Sequence, residues 1–308
     1  MPNLRVPHSH DLAGDSIMKK VYNWKKFLLY VAPITILYTL FEFIPILLAF
    51  RYSLTNYRGV GEAVNVGLSN YLRLFQDKLF YRCLLNTLKL TATTVVIVIP
   101  LSFIYAFLLE KNTKVNLMHR AVIFAPYTVS GIVVGLIWTF ILDPSKGFLN
   151  HFLDCIGLDF LAQEWIGGKT LTPFSAGIIG VWAAAGFCTL LWMNGLKQIP
   201  TDVIEASIID GATVLQRVKL IILPLLKETL KMLFVLQFTG CLKTFETVQM
   251  LTGGGPNHYS ETMVSYMYNV TFTQRLFGYG MAIAVVEFLI SMTVTFVFMR
   301  LTSKEATE

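Results

Sequence analysis

Charge is what this chain lacks most. Aspartate, glutamate, lysine and arginine make up 14% of its 308 residues, where a soluble domain carries about a quarter. With 55% apolar residues and a mean hydropathy of +0.60, the composition excludes an ordinary soluble fold and points to a polytopic membrane protein. The net charge of +6 is not read as a nucleic-acid signal; its information lies in where the lysines and arginines sit. Cysteine is also sparse. Cys83, Cys155, Cys188 and Cys241 form no Cys-x-x-Cys pair and no zinc spacing, so neither a disulfide framework nor a structural metal is implied, and small-hydrophobe packing is the plain expectation. Five histidines, His8, His10, His119, His151 and His258, form no His-x-x-x-His or Glu-x-x-His pair, which disfavours a membrane metalloprotease. Serines and aspartates are scattered without a nucleophile elbow. The glycine run Gly253-Gly254-Gly255 lacks the Lys-Ser/Thr of a phosphate cradle. No catalytic function and no bound cofactor are expected of this chain.

What is present is long apolar runs. A bilayer core of about 30 Å takes ~20 residues of helix, and six stretches qualify: 27–50, 85–109, 119–142, 173–196, 225–251 and 277–300. Several contain proline: Pro33 and Pro45 in the first, Pro100 in the second, Pro126 in the third. Such kinks are tolerated where neighbouring helices re-satisfy the backbone. The first run is too long, and lacks the small-residue cleavage site, for a removable signal peptide. Residues 1–26 read as a polar cytoplasmic tail, with Met18-Lys19-Lys20 as an alternative start that would make 1–17 dispensable. Most basic residues fall on one side if the amino terminus is inside, including Lys19, Lys20, Lys25 and Lys26, Lys111, Lys114 and Arg120, and Lys197, Arg217, Lys219, Lys227 and Lys231. This places both termini in the cytoplasm, although Arg51, Arg58, Arg73, Lys78 and Arg82 in the loop 51–84 pull the other way. That loop holds Gly59, Gly61 and Gly67 and is expected to contain a short helix near Ser69–Phe75.

Between the fourth and fifth runs lies a polar island, Pro200 to Gly211. Asp202 with Glu205 three residues on reads as a helix start, and Thr213 with Gln216 as a second capping box. Val203, Ile204, Ser207 and Ile208 share one helical face, and Gly211 permits a turn that a Cβ would hinder. The local expectation is helix, turn, helix.

This island resembles the cytoplasmic signature of the permease subunits of binding-protein-dependent ABC importers: Glu-Ala-Ala, three residues, Gly, nine residues, Ile-x-Leu-Pro. Glu205, Ala206, Gly211, Ile221, Leu223 and Pro224 match it, and Ser207 stands where the pattern has its second alanine. Leu251-Thr252-Gly253-Gly254-Gly255-Pro256 is similar to a signature of the sugar-importing branch. So are Asn86-Thr87-Leu88, Ala125-Pro126-Tyr127, Asp143-Pro144 with Gly147-Phe148-Leu149-Asn150, and Gly278-Tyr279-Gly280-Met281-Ala282. The resemblance runs from about Asn86 to Arg300 and is to carbohydrate permeases of the maltose, lactose, multiple-sugar and glycerol-3-phosphate type.

The resemblance implies an all-α fold of six transmembrane helices with a cytoplasmic coupling helix-turn-helix between helices 4 and 5. Its parts would be a tail 1–26, a first helix and outer loop 27–84, a permease core 85–300 with the coupling loop 197–224, and a tail 301–308. It implies ATPase coupling through Glu205, Ala206, Ser207, Asp210, Gly211 and Pro224. Its partners would be a cytoplasmic ABC ATPase dimer carrying ATP and magnesium, a second homologous permease and an extracellular solute-binding protein, in a bacterial cytoplasmic membrane and with no nucleic acid. Its substrate path would be lined by Phe187, Gln237, Cys241 and Thr244. Gln237, Cys241 and Thr244 stand at i, i+4 and i+7, hence on one helical face. Gln237 and Thr244 suit sugar hydroxyls, and Phe187 and Phe245 suit apolar sugar faces, whereas glue between helices is the plain alternative. Lys243 and Glu246 are spaced to pair on a helix, and Glu42 and Glu287, within apolar runs, should face protein or water. Another polar cargo, such as a glycerol phosphodiester or a uronic acid, stays open, with Lys243 as its pointer. An ATP-independent secondary transporter is opposed by the six spans and by the absence of an obvious inverted repeat.

Overall fold

A computed structural model describes residues 24–303. The expected tail 1–26 up to residue 23, the alternative start at Met18 and the tail from residue 304 lie outside the described residues. Apart from one isolated bridge, Thr55 to Asn65, the described residues form helices, turns and loops.

In chain order these are α1 (Trp24–Tyr38), a π turn (Thr39–Phe43), α2 (Ile44–Ser53), α3 (Ser69–Gln76), α4 (Lys78–Leu108), α5 (Lys114–Phe124), α6 (Gly131–Leu142), α7 (Phe148–Cys155) and α8 (Thr172–Leu196). There follow α9 (Thr201–Ile209), α10 (Val214–Arg217), a π turn (Val218–Ile222), α11 (Leu223–Leu225), α12 (Lys227–Leu242), α13 (Glu246–Thr252), α14 (Met263–Tyr268), a π turn (Asn269–Thr273) and α15 (Phe277–Ser303). Four stretches are long and apolar enough to cross a membrane: Leu28–Ser53, Lys78–Leu108, Thr172–Leu196 and Phe277–Thr302.

Two of the six expected runs are not continuous helices. The run 119–142 breaks after Thr128 and bends by 99° before α6. Pro126 in a short 3-10 turn and the extended Val129 and Ser130 end the first arm. Ser130 then restarts the chain by accepting a bond from the Val133 amide. The run 225–251 stops at Leu242 and resumes at Glu246, with Phe245 outside helical geometry. This break also answers the expected pairing of Lys243 with Glu246. The two do not lie on one helix, and Glu246 turns to Gly131 of α6 instead. The second run begins earlier than hydropathy suggests, at Lys78 rather than 85, because Asp77 caps it by accepting from the amides of Leu79 and Phe80. Pro173 stands in the first turn of α8.

The centre of the molecule is the pair α4 and α8. Thr94 Oγ1 donates to the Gly177 carbonyl at 2.9 Å. A Cβ at Gly177 would press on Thr93 and on the Leu90 carbonyl, and one at Gly180 on Thr94. Small residues let helices approach in this way where apolar burial gives no drive between them. At one end, Val98, Ala106, Trp192, Leu196, Ile222, Leu226 and Leu233 form a buried cluster. Beside Pro100, Ser102 donates to the Val98 carbonyl at 2.6 Å, and the Trp192 indole ties α8 to α4 through the Ile99 carbonyl at 3.1 Å. At the other end, Leu74, Phe80, Cys83, Met263, Tyr266, Tyr279 and Ile283 form a second cluster. Cys83, Cys188 and Cys241 are buried and Cys155 is exposed, all four as free thiols.

The bent segment docks against α8 where Gly186 meets the backbone of Ile123 and Phe124. Gly186→Ala is therefore expected to destabilise the folded chain by about 3 kcal/mol through overpacking against main chain that cannot rotate away. Gly240→Ala, where a Cβ meets open space, should change stability by no more than about 1 kcal/mol. Melting of both variants in detergent, followed by gel filtration, checks the contrast. Equal losses would remove the close approach at Gly186 as a constraint.

Candidate functional site

The polar island folds as a helical hairpin of α9 and α10. Its first helix starts at Thr201, directly after the extended Pro200, and no side chain caps it. Asp202 therefore does not act as the cap: it lies inside the first turn, where its charge still favours the helix start. Gly211 ends the helix in the left-handed region at φ 77°. Its amide bonds to the Ile208 carbonyl at 3.0 Å and the Ala212 amide to the Ser207 carbonyl at 3.0 Å, the paired bonds of a Schellman ending. A Cβ at Gly211 would meet nothing, so the glycine is required by conformation and not by space. The Thr213–Gln216 capping box is present, with the Thr213 amide donating to Gln216 at 2.8 Å. Ser207, the departure from the Glu-Ala-Ala pattern, is buried and donates its hydroxyl to the Ile204 carbonyl at 2.6 Å. The hydroxyl is satisfied within its own helix, so the site accepts serine as it would alanine.

One face of the hairpin closes over a cavity of about 560 Å³, walled by Phe107 of α4 and Glu110 just beyond it, by Leu196 at the end of α8 and Lys197 after it, and by Glu205 and Arg217. Outside that lining the hairpin presents exposed apolar side chains: Ile209 is 85% exposed and Leu215 76%. Asp210 and Ala206 are exposed beside them. Pro224 sits in α11, reached through the π turn whose Ile222 is buried in the same cluster as Trp192, Leu196 and Leu226. The hairpin is thus joined at its base to the ends of α4, α8 and α12.

The residues named for a substrate path separate. Phe187 of α8 is half-buried and stacks flat on Tyr127 with ring centroids 4.5 Å apart and planes 5° apart. Tyr127 belongs to the 3-10 turn of the bend and remains half-exposed. Gln237 is half-buried on α12. Cys241 is 8% exposed and packs with Leu90, Ile179 and Val248, so its thiol is taken up by the helix contacts of α4 and α8. Thr244 leaves the face shared by Gln237 and Cys241 because α12 has already ended. Its carbonyl accepts from Thr262 Oγ1 at 3.2 Å. Phe245 joins Tyr268 and Phe272 in an aromatic row. Glu42 is exposed on the π turn after α1.

Sequence reasoning gave no structural role to the polar residues that hold the far end together. Asn86 Nδ2 donates to the carbonyls of Tyr259 at 3.0 Å and Glu261 at 3.1 Å, and Thr87 Oγ1 accepts from the Met263 amide at 3.0 Å. The Asn-Thr pair of α4 therefore pins the loop that follows the glycine run, where Gly253 ends α13 in the left-handed region. Glu261 is buried and pairs with His258. Asp77 gathers the hydroxyls of Tyr266 and Tyr279 in addition to its two amides. Burial opposes its ionisation, but those four donors together outweigh it and hold the carboxyl below its ordinary 3.8. The only trace of this hub in the sequence is an aspartate directly before a helix.

With the geometry in place, comparison with known proteins is informative. Residues 98–307 match the family described as binding-protein-dependent transport system inner membrane component. The chain is 32% identical over 275 residues to the probable ABC transporter permease protein YurN of Bacillus subtilis, covering 88% of this chain and 94% of that one. It is 30% identical over 293 residues to the multiple sugar-binding transport system permease protein MsmF of Streptococcus mutans, covering 94% and 97%. Its fold is similar to a chain in the crystal structure of a bacterial ABC transporter involved in the import of the acidic polysaccharide alginate. That likeness has a TM-score of 0.77 and 20% identity, covering 94% of this chain and 99% of that one.

The Asp77 hub makes a pH-dependent prediction. Asp77→Ala removes a helix cap and leaves two tyrosine hydroxyls without their acceptor, a loss of roughly 2 kcal/mol or more at pH 7. Because the folded carboxyl lies below 3.8, its contribution is complete above that value and is lost as the pH falls through the folded value. The gap in melting temperature between wild type and variant should therefore hold from pH 7 down to about pH 4 and narrow only at lower pH, as the folded carboxyl takes up its proton. A gap that widens in acid would contradict the assignment.

Proposed function

The chain belongs to the family of binding-protein-dependent transport system inner membrane components, and from that premise we propose that it is the membrane subunit of an ATP-driven carbohydrate importer. It lies in the cell membrane as a multi-pass protein and works as a transport subunit. In this reading six crossings are made by Leu28–Ser53, Lys78–Leu108, the bent pair Lys114–Thr128 and Gly131–Leu142, Thr172–Leu196, the run of α12 and α13, and Phe277–Thr302. Both termini are cytoplasmic, consistent with the bias of basic residues. The divisions 27–84, 85–300 and the coupling loop 197–224 stand as proposed parts of the chain.

The observation that carries the proposal is the hairpin itself. It combines a sharply ended helix, the exposed side chains of Ile209 and Leu215 and a base fused to the buried cluster around Trp192 and Leu226. Exposed isoleucine and leucine on a polar hairpin outside the membrane call for a protein to cover them. We assign that cover to the cytoplasmic ATPase dimer, which holds the ATP and magnesium, with Glu205 and Asp210 as the polar contacts and Ala206, Ser207, Gly211 and Pro224 shaping the docking helix. Closure of the dimer on ATP would displace the hairpin. Ile222 and Leu226, buried against α8, would pass that displacement to the spans and open them outward, and hydrolysis would return them.

The cargo is a carbohydrate, an oligosaccharide in our reading, delivered by an extracellular binding protein and passed between this chain and a second permease. The stacked pair Tyr127 and Phe187 offers the flat apolar surface that sugar C–H faces require, and Gln237 and Thr244 offer hydrogen-bonding groups. None of these four is charged. Lys243 lines a separate groove between α12 and α15. This favours a neutral sugar over an anionic cargo.

Two experiments test the proposal. Gentle purification of the tagged chain from its own host should bring a Walker-motif ATPase and a second permease in comparable amounts. Glu205→Lys should lose the ATPase while the chain still inserts, since one broken interfacial charge contact costs about 2–5 kcal/mol; undiminished transport and ATPase stimulation would sink the docking role. For the path, Phe187→Ala and Gln237→Leu should each raise the KM for sugar uptake roughly tenfold, the effect of one lost contact of about 1.4 kcal/mol. An unchanged KM for both would remove them from the path.

A further inference from the structure

A second groove, of about 650 Å³, runs between α12 and α15 and has no part in the path described above. Its walls along α15 extend from Ala284 to Met299, which is about 22 Å of helix and most of the ~30 Å thickness of a bilayer core. The lining is mainly apolar, with Val264, Phe288, Met292 and Phe296 prominent. Two polar side chains in it are unsatisfied. Glu287 is 8% exposed, and it accepts no hydrogen bond and forms no ion pair among the described residues; Lys243 reaches it through charge alone. The Thr295 hydroxyl is buried without a partner. Glu287, Ser291 and Thr295 are spaced four apart, so they form one line down the groove. A buried carboxylate in a membrane span without a donor is costly and marks a functional contact.

The groove's shape chooses among occupants. Its open surface is largely apolar, which suits a sugar poorly although Thr239, Lys243, Glu287, Ser291 and Thr295 line it, and a lipid tail would leave Glu287 and Thr295 unsatisfied. A helix lying along the trench would fill its length, and one donor side chain on that helix would complete the carboxylate. Methionine and phenylalanine walls adapt to such a knob. We propose that this groove seats a transmembrane helix of the second permease, and that Glu287 sets its register by receiving a basic or amide side chain from it. The inference rests on the importer reading, which supplies the second permease.

The test uses the intact complex in its native membrane. A benzophenone amino acid placed at Met292, and separately at Phe296, is illuminated, and the adducts are identified by mass spectrometry. The expected result is an adduct with the second permease at both positions. In parallel, Glu287→Leu should reduce recovery of the second permease about tenfold relative to the ATPase-independent yield of this chain, and Glu287→Gln, which keeps an acceptor, should restore most of it. Adducts with lipid alone, with another copy of this chain, or a labelling that transported sugar suppresses would overturn the proposal even if Glu287→Leu misfolds, because the labelling is done with Glu287 present. Recovery of the pair with no adduct to it rejects the groove alone. Purification of the wild-type chain with no second permease rejects both the groove and the paired-importer reading.

Discussion

The structure depends on how closely α4 and α8 approach one another. In lipid, apolar side chains gain nothing by leaving the bilayer for a neighbouring helix, so association has to come from packing and from hydrogen bonds between helices. Here both come from the same few residues. Gly177 and Gly180 let the Thr93 and Thr94 side chains into the backbone of α8, and Thr94 uses that proximity to bond the Gly177 carbonyl. The same helix then meets the bend of α5 through Gly186 and the start of α12 through Gly195, where a Cβ would strike Thr229 and Leu226. α8 is in effect a ruler of small residues: Gly177 and Gly180 set its distance from α4, Gly186 from α5 and Gly195 from the start of α12.

A second layer of order is polar and sits at one end. Asn86 and Thr87 reach out of α4 to the main chain of residues 259–263, and Asp77 collects two tyrosines from α14 and α15. These contacts bridge segments more than 170 residues apart. They turn a loop that begins with a glycine run, which alone would be free to move, into a fixed cap over the helix ends. The opposite end is held by apolar contacts around Trp192, with the π turn at Val218–Ile222 leading the hairpin into them.

Much of this was legible in the sequence, and what was missed has definite causes. The hairpin could be read residue by residue: Gly211 as the helix end, and Thr213 with Gln216 as a box. Each of these is a local rule that survives whatever surrounds it. The two broken spans were not legible, because hydropathy averages over a window and is blind to a few non-helical residues such as the extended Val129–Ser130 or the turn at Lys243–Phe245. Helical periodicity then carried Thr244 onto a face that the chain has already left. Cys241 shares Gln237's face yet is covered by α4 and α8, since periodicity tells which residues are together but not which neighbour lies opposite. Tyr127 drew notice only through its resemblance to a family pattern; its stacking on Phe187 needs two segments 60 positions apart to meet, and no local rule contains that.

The positions of the breaks bear on how the chain could move. The two interrupted spans also pack on each other: α6 lies on α13, with Gly131 and Gly135 against Glu246, Thr247 and Met250, and Thr139 donates to the carbonyls of Met250 and Leu251. An interrupted helix has unpaired main-chain groups at its break and few torsions to change when it swings, so hinge motion concentrates there. Both breaks adjoin residues assigned to the path: Tyr127 at one, Thr244 at the other. α12 links the second break directly to the base of the hairpin. A push on the hairpin therefore meets rigid helices first and yields at Lys243–Phe245 and at the bend beside Tyr127. In the proposed importer, work done at the hairpin would then appear as a change around Tyr127 and Thr244 while α4 and α8 keep their spacing.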